Sequence, residues 1–410
     1  MRVKVKGKGW IFLLVVFSIS IGVTSVVIGD NTTGVTENEV HIGLFFTTTG
    51  PGSVWGVPAA DGIRTILNLA NEAGGIHGRK IKYFLEDDAA SPEKTKAAVK
   101  KLIYDTKVFA LMGTGASLAC YAAKNEIEDN KIPWLGGPAI MDKIYVPVYP
   151  TTFGYSLTSS TDAKSMSRFA LTKSGVRKIA FAYHYDDWGK GLLESAIKVL
   201  EEHKVEKVEW VTEVVEKGIT DATAIILKLK KYNPDAVVCF LYPSEGPVFI
   251  RDAYKYNLKV PIIVNTALND VTDVSKRTGI PESMRMVFAS TYGKSSVYHP
   301  MFADLLKALK NYFPQTKPQA LNLIGFAGGK ILVEALKGSG RNLTRERFLD
   351  ALENMKDFDT GVLATKISYS KTDHLGLKSS TLVTLKKDGT EYFFDKPEWD
   401  PNILKIKNWE

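Results

Sequence analysis

The chain has 410 residues, more than the roughly 250–300 at which a single hydrophobic core stops growing, so two domains or one with appendages are expected. Apolar residues at 45% and charged residues at 24% exclude a disordered or fibrous chain, and only two cysteines, Cys120 and Cys239, exclude a disulfide framework and a four-cysteine zinc site. Of the formal charge of +8, four units (Arg2, Lys4, Lys6 and Lys8) fall within residues 1–29, which hold no acid, so the remainder carries +4 and nucleic acid is not an expected partner.

Met1–Lys8 is basic and Trp10–Ile28 is mostly apolar. That order marks a cleavable signal peptide or an N-terminal membrane anchor. Small residues allow cleavage after Ser25 or Gly29. Either form places the bulk of the chain outside the cytoplasm, and only this segment is expected to touch the membrane. Asp30–Glu39 reads as a polar linker. Strands and amphipathic helices then alternate: strands at 40–46, 80–88, 108–113 and 132–135, with helices at 61–73, 92–106 and 117–130 between them. A second series follows, with strands at 178–185, 208–215, 236–241, 261–264 and 286–290 and helices at 189–203, 221–232 and 247–257. Three helices (301–312, 318–337, 345–354) and a hairpin turning on Lys387-Asp388-Gly389 end the chain. Two βαβ series predict an α/β protein of two doubly wound, mainly parallel sheets.

Four motifs occur in order: Thr49-Gly50-Pro51-x-x-x-Trp55-Gly56, Asn71-Glu72-Ala73-Gly74-Gly75-Ile76-x-Gly78-Arg79, Asp87-Asp88-Ala89-x-Ser91-Pro92 and Trp188-Gly189-x-Gly191. Together they resemble the extracytoplasmic solute-binding proteins of branched-chain amino-acid (leucine/isoleucine/valine) ABC transporters, over about residues 40–395. The resemblance implies the type I periplasmic-binding-protein fold, two lobes joined by three hinge crossings, and capture of a ligand by closure. It puts the crossings near Tyr155–Ser159, Met284–Val287 and Thr360–Ile367. The lobes would then comprise 40–157 with 287–362 and 158–286 with 363–398, leaving 399–410 as a tail.

The loop from Gly113 into Ser117 runs from a strand end to a helix start, where free backbone N–H groups attract an anion and a hydroxyl adds a donor. The same residues also read as a plain helix cap. By resemblance, Ala116 and Ser117 hold a ligand carboxylate and Trp55, Trp188 and Tyr242 wall the site; Asp187, at a strand end beside Trp188, reads as a ligand contact or as part of a solvated loop. The amine-holding half departs from the family pattern. Pro138 and Ala139 fit, with Ala139 offering its carbonyl, but Ile140 stands where a hydroxyl is common. After the strand 261–264 the chain reads Asn265-Thr266-Ala267-Leu268, with Asp270 as the nearest acid. A buried ammonium without a carboxylate is costly, so the expected ligand is a carboxylate or amide with an apolar or aromatic body, its α-amino group not required.

The six histidines lack metal-ligand spacing, and no nucleophile–base pair or cofactor fingerprint is present. Neither a metal nor a cofactor nor an enzymatic activity is therefore expected. Glu86-Asp87-Asp88 is expected to make structural hydrogen bonds, and the two cysteines to be buried thiols, one per lobe. The expected partners are a small-molecule ligand and ABC permease subunits, and a ligand-sensing domain that transports nothing is the alternative.

Overall fold

The computed structural model describes residues 31–113, 115–202 and 207–409. The N-terminal segment read as signal or anchor lies outside them, and no helix among the described residues is long and apolar enough to cross a membrane. In chain order the first lobe begins with β1 (Glu39–Phe46), α1 (Ser53–Glu72), β2 (Lys80–Asp87), α2 (Pro92–Lys100, continued by a π turn to Asp105), β3 (Ala110–Gly113), α3 (Ser117–Asp129), β4 (Trp134–Gly136) and β5 (Thr152–Gly154). The second contains α4 (Ser159–Thr172), β6 (Lys178–His184), α5 (Asp187–Glu202), β7 (Glu209–Val215), α6 (Thr223–Tyr232), β8 (Ala236–Phe240), α7 (Gly246–Lys255), β9 (Ile262–Val264), α8 (Val271–Thr278) and β10 (Val287–Thr291). The chain then supplies α9 (Ala303–Tyr312), α10 (Ala320–Gly338) and α11 (Arg345–Glu353) to the first lobe, and β11 (Thr381–Leu385), β12 (Glu391–Phe393) and α12 (Ile403–Ile406) to the second.

The first sheet has the order β2-β1-β3-β4-β5, wholly parallel. The second runs β12-β11-β10-β9-β8-β6-β7, with β11 and β12 forming an antiparallel hairpin at its edge. Each central strand is apolar on both faces because helices cover both: α1, α10 and α11 on one side of the first sheet, α2 and α3 on the other. In each lobe the chain reverses its winding direction between two neighbouring strands, β1 and β3 in the first, β6 and β8 in the second. Such switch points leave a crevice at the C-terminal strand ends, where open sheets take ligands.

The crossings fall at three places. The first lies between Gly154, the end of β5, and Ser159, the start of α4. The second lies later than expected, because β10 hydrogen-bonds to β9 and β11 and so belongs to the second sheet. The return to the first core comes directly after β10, where Tyr292 packs against it and Gly293 bridges Leu363, and Val297 and Phe302 are then buried in it. A strand's burial pattern identifies it as a strand but not which sheet it joins. The third crossing is also later, between Leu377 and Thr381. Residues 363–377 stay with the first lobe, where Leu363, Ile367, Tyr369 and Leu377 pack into its core. Their backbone also extends the sheet edge, since the Gly154 N–H donates to the His374 carbonyl and the Gly376 N–H to the Gly154 carbonyl, both at 2.8 Å.

Two segments read as loose are docked. In the supposed linker, the Asn31 carbonyl accepts from the Arg345 N–H (2.8 Å) and the Thr36 carbonyl accepts from the Arg79 guanidinium (2.7 Å). The supposed tail sends Lys407 Nζ to the Met284 and Arg285 carbonyls at 3.0 and 2.7 Å, while Trp399 packs on Phe288. Polar composition marked the first as a linker and the lobe bounds left the second as a tail, but backbone groups and one buried lysine hold them. Helix α1 also starts earlier than its apolar spacing indicates. Pro58 within it removes only the N–H that would have met the Val54 carbonyl. The two thiols are buried, Cys120 on the first lobe and Cys239 on the second.

Candidate functional site

The candidate residues follow the C-terminal ends of parallel strands in both lobes: Trp55 after β1, Ala116 and Ser117 after β3, Pro138 and Ala139 after β4, Asp187 and Trp188 after β6, Tyr242 after β8, Thr266 after β9.

In the first lobe the β1–α1 loop is pinned by the strand-end acids. Asp88 accepts from Thr47 Oγ1 at 2.6 Å, and Asp87 accepts from the Thr48 N–H at 2.8 Å. Burial pushes Asp87 up, but the Thr49 hydroxyl and the Thr48 and Ala89 N–H groups outweigh it and hold the carboxyl below the usual range. Glu86 is drawn away to Lys101 at 2.8 Å. The pinned loop delivers Trp55 into the first turn of α1. Gly56 follows because a Cβ there would lie 2.0 Å from the Thr47 carbonyl oxygen. Trp55, Gly115 and Pro138 are close neighbours: a Cβ on Gly115 would stand 3.2 Å from both Trp55 Cε3 and Pro138 Cγ.

Ser117 Oγ accepts from the Ile140 N–H at 3.0 Å. It therefore ties the β3–α3 loop to the β4 loop and keeps its own proton to give to a ligand acceptor. Ala139 is fully buried, and its carbonyl takes the Tyr145 hydroxyl at 3.1 Å, so this expected ligand acceptor already has a protein partner. The loop is also joined to the first crossing. The Gly137 carbonyl accepts from Tyr155 (2.6 Å), the Ile140 carbonyl from the Ser159 N–H (2.8 Å), and the Asp142 carboxylate from the Ser160 N–H (3.1 Å). Around it the lip is apolar: Val54 is 66% exposed, Leu118 70% and Ile140 38%.

The second lobe repeats the first device. Trp188 opens α5 after β6, and a Cβ on Gly189 would lie 2.0 Å from the His184 carbonyl oxygen. Trp188 stacks on Tyr242 with centroids 4.5 Å apart and planes at 21°, while His184 meets the same tyrosine edge-on at 5.0 Å. Asp187 itself is exposed, and its neighbour Asp186 is the engaged acid. Asp186 accepts from the Gly189 N–H at 2.8 Å and the Tyr242 hydroxyl at 2.9 Å, with His184 Nδ1 at 3.2 Å. Burial raises Asp186, yet these partners hold it below the usual carboxylate range, while burial and the bond to Asp186 push Tyr242 up to about 12. Substituting Gly189 by alanine is expected to displace the start of α5 and open the Trp188–Tyr242 stack. Strain of about 1–3 kcal/mol, if all of it fell on the candidate site, would correspond to about 5- to 150-fold in ligand affinity. Titration calorimetry beside near-ultraviolet circular dichroism of the tryptophans would read both effects.

Thr266 is half-buried, and its N–H and hydroxyl both donate to Asp162 Oδ2, at 3.0 and 2.7 Å. Asp162, the partner of candidate residue Thr266, was missed by sequence reasoning. It stands 104 positions earlier, in the first turns of α4, whose apolar residues Ala163, Met166, Phe169 and Ala170 face the core, and no local spacing links it to the loop after β9. Asp270, the nearest acid along the chain, is spent as the α8 cap, accepting from the Asp273 N–H at 2.8 Å. Asn265 is buried and clips the loops together by accepting from the Leu241 N–H at 3.0 Å. Among the described residues no three His, Cys, Asp or Glu side chains converge as a metal set.

A family model described as periplasmic binding protein matches residues 39–390. The Leu/Ile/Val-binding protein homolog 3 of Brucella melitensis is 22% identical over 347 residues, 83% of this chain and 90% of that protein. Among solved structures, the branched-chain amino-acid transporter substrate-binding protein LivJ of Streptococcus pneumoniae, in complex with isoleucine, superposes with a TM-score of 0.66 at 20% identity, covering 87% of this chain and 99% of that one. A solute-binding protein of an ABC transporter from Rhodopseudomonas palustris, in complex with 3,4-dihydroxybenzoic acid, gives 0.67 at 22% identity, covering 90% and 100%. These relatives are binding proteins rather than enzymes. Two doubly wound lobes, strand-end loops gathered at their switch points and a family match across most of the sequence make one statement: the chain belongs to the periplasmic binding protein family, with the type I two-lobed fold.

Proposed function

We propose that this protein captures a small carboxylate-bearing ligand with an apolar or aromatic body between its lobes and delivers it to the permease of an ABC importer. The observation that carries the reading is the gathering of every candidate residue at the C-terminal strand ends of both lobes, around the two switch points. The chemistry agrees with it. Ser117 has a hydroxyl proton to give to an anion, Trp55 and the Trp188–Tyr242 stack offer flat apolar faces, and the lip at Val54, Leu118 and Ile140 is apolar. The ligands named for the two structural relatives, isoleucine and 3,4-dihydroxybenzoic acid, share a carboxylate on an apolar or planar body. Residues 1–29 export the chain and hold it outside the cytoplasm, cleaved or as an anchor.

Closure follows by population shift, because a ligand touching both lobes favours the state that brings them together. The β4 loop runs from the ligand side at Ser117 to the first crossing at Ser159, so contact at one end bears on the hinge at the other. A thermal-shift screen of branched-chain amino acids, aromatic acids and amides tests capture, since a ligand at 100 times its Kd stabilises the folded state by about 2.7 kcal/mol. Ser117→Ala is expected to weaken the best carboxylate by about 10- to 100-fold, the size of one hydrogen bond to a charged group. An undiminished affinity would remove Ser117 from the site, and a screen without hits would sink the capture reading. Delivery is checked by uptake of the identified ligand in cells with and without the gene.

A further inference from the structure

The second lobe has a basic cavity on the side away from the cleft. It measures about 620 Å³ and opens at the N-terminal ends of β9 and β10, between the last turn of α7 and α12. Lys255, Lys259 and Arg285 line it, all three exposed, and no Asp or Glu does. None of the three has a carboxylate at ion-pair distance among the described residues, and Asp221 lies in the field of Lys255 beyond that distance. The capture reading makes no use of this cavity. We propose that it is a phosphate site, in which a phosphate group, free or carried on a lipid headgroup, is held by the Lys255 and Lys259 ammonium groups and the Arg285 guanidinium.

A second observation, independent of the lining, points to an anion here. Lys407, three residues past Leu404 of the cavity wall, is fully buried. Its Nζ donates to the Met284 and Arg285 carbonyls at 3.0 and 2.7 Å and stands 4.9 Å from the centre of the Phe288 ring. Burial, followed by the Arg285 charge, draws its ammonium down to about 7, and no acid works against them. A buried cation held beside a second cation without a carboxylate is costly. An anion seated on Arg285 offsets that repulsion. Three cations without an acid suit a group with more than one negative charge, and the guanidinium fork meets phosphate oxygens in pairs. Tyr254, Met286 and Leu404 add aromatic and aliphatic wall for the organic part of a phosphate ester. Because the crevice lies at the opposite, C-terminal strand ends, a phosphate here does not compete with the captured ligand.

The exported chain is titrated with pyrophosphate by calorimetry and floated with phosphatidylcholine vesicles with and without phosphatidic acid. Pyrophosphate is expected to bind, and Lys259→Gln and Arg285→Gln are each expected to weaken it about tenfold or more, the size of one hydrogen bond to a charged group. Lys96→Gln removes an exposed charge from α2 of the first lobe and is expected to leave binding unchanged. Removing Arg285 also removes the repulsion on Lys407, so Arg285→Gln is expected to melt no lower than the native chain, which separates lost binding from lost fold. A preference for phosphatidic acid vesicles that Arg285→Gln abolishes supports the site with a lipid headgroup as its occupant. Pyrophosphate binding without that preference supports it with a free phosphate compound. An equal loss in Lys96→Gln and Lys259→Gln would show only the diffuse pull of a basic surface and overturn the proposal, as would binding of neither probe. Neither result touches capture in the cleft.

Discussion

Gly325→Ala is expected to destabilise the protein by about 1–3 kcal/mol, seen as a lower melting temperature with ligand absent. Helices α1 and α10 cross backbone to backbone: a Cβ on Gly325 would lie 2.3 Å from the Ala59 carbonyl oxygen and 2.9 Å from Gly62 Cα. A Cβ on Gly62 would meet the Asn322 carbonyl oxygen at 2.6 Å. The obstacles are main-chain atoms on both sides, so no rotamer change relieves the clash and the helices must separate. Separation would also stretch the Asn322 Nδ2 bond to the Pro58 carbonyl, now 2.8 Å. Gly191 is the control. It lies within α5 with nothing within 4 Å of the added methyl, so alanine there is expected to stabilise by about 0.5–1 kcal/mol through helix propensity alone. Equal melting of Gly325→Ala and the native chain would show that the helices are not in close contact.

The second large effect is a pH dependence. Lys407 is fully buried, and burial, followed by the neighbouring Arg285 charge, brings its ammonium down to about 7. In the unfolded chain the same group holds its proton to an ordinary lysine value near 10.4. Between those limits the unfolded state binds more protons than the folded one, so stability climbs as pH rises from about 7 and the gain is complete near 10.4. Below about 7 both states are protonated and this group adds no slope. The span corresponds to on the order of 4 kcal/mol. Other groups titrate in the same window, so the informative quantity is the difference between native and Lys407→Met in denaturant midpoints across pH 7–10. That difference is expected to narrow steadily with falling proton concentration if the native chain alone carries the slope, because only native Lys407 must be discharged to fold. Parallel curves would mean that Lys407 does not titrate in this window.

Periodicity was informative for the architecture, since the buried runs of β8 and β6 and the apolar stripes of α5 and α10 are local properties of the chain. Lobe membership was less legible. β10 was recognisable as a strand, but its pairing with β9 and β11 depends on register between distant segments. For the site, Trp55-Gly56 and Trp188-Gly189 carried a local signal with a physical reason: each glycine admits a carbonyl oxygen at a distance no side chain tolerates. Asp162 carried no such signal, because its meaning comes from the approach of α4 to the β9 loop. The same holds for the Ala139 carbonyl, whose partner Tyr145 becomes apparent only once the β4 loop has folded back.

The two docked end segments belong to different lobes. Residues 31–38 are held on the first, through Arg345 and Arg79, while Trp399 and Lys407 fasten residues 399–409 to the second. Points near the two ends of the described chain are therefore fastened to different lobes. Under the proposed capture by closure, a fluorophore pair placed there is expected to change its energy transfer when ligand is added, with no label in the cleft.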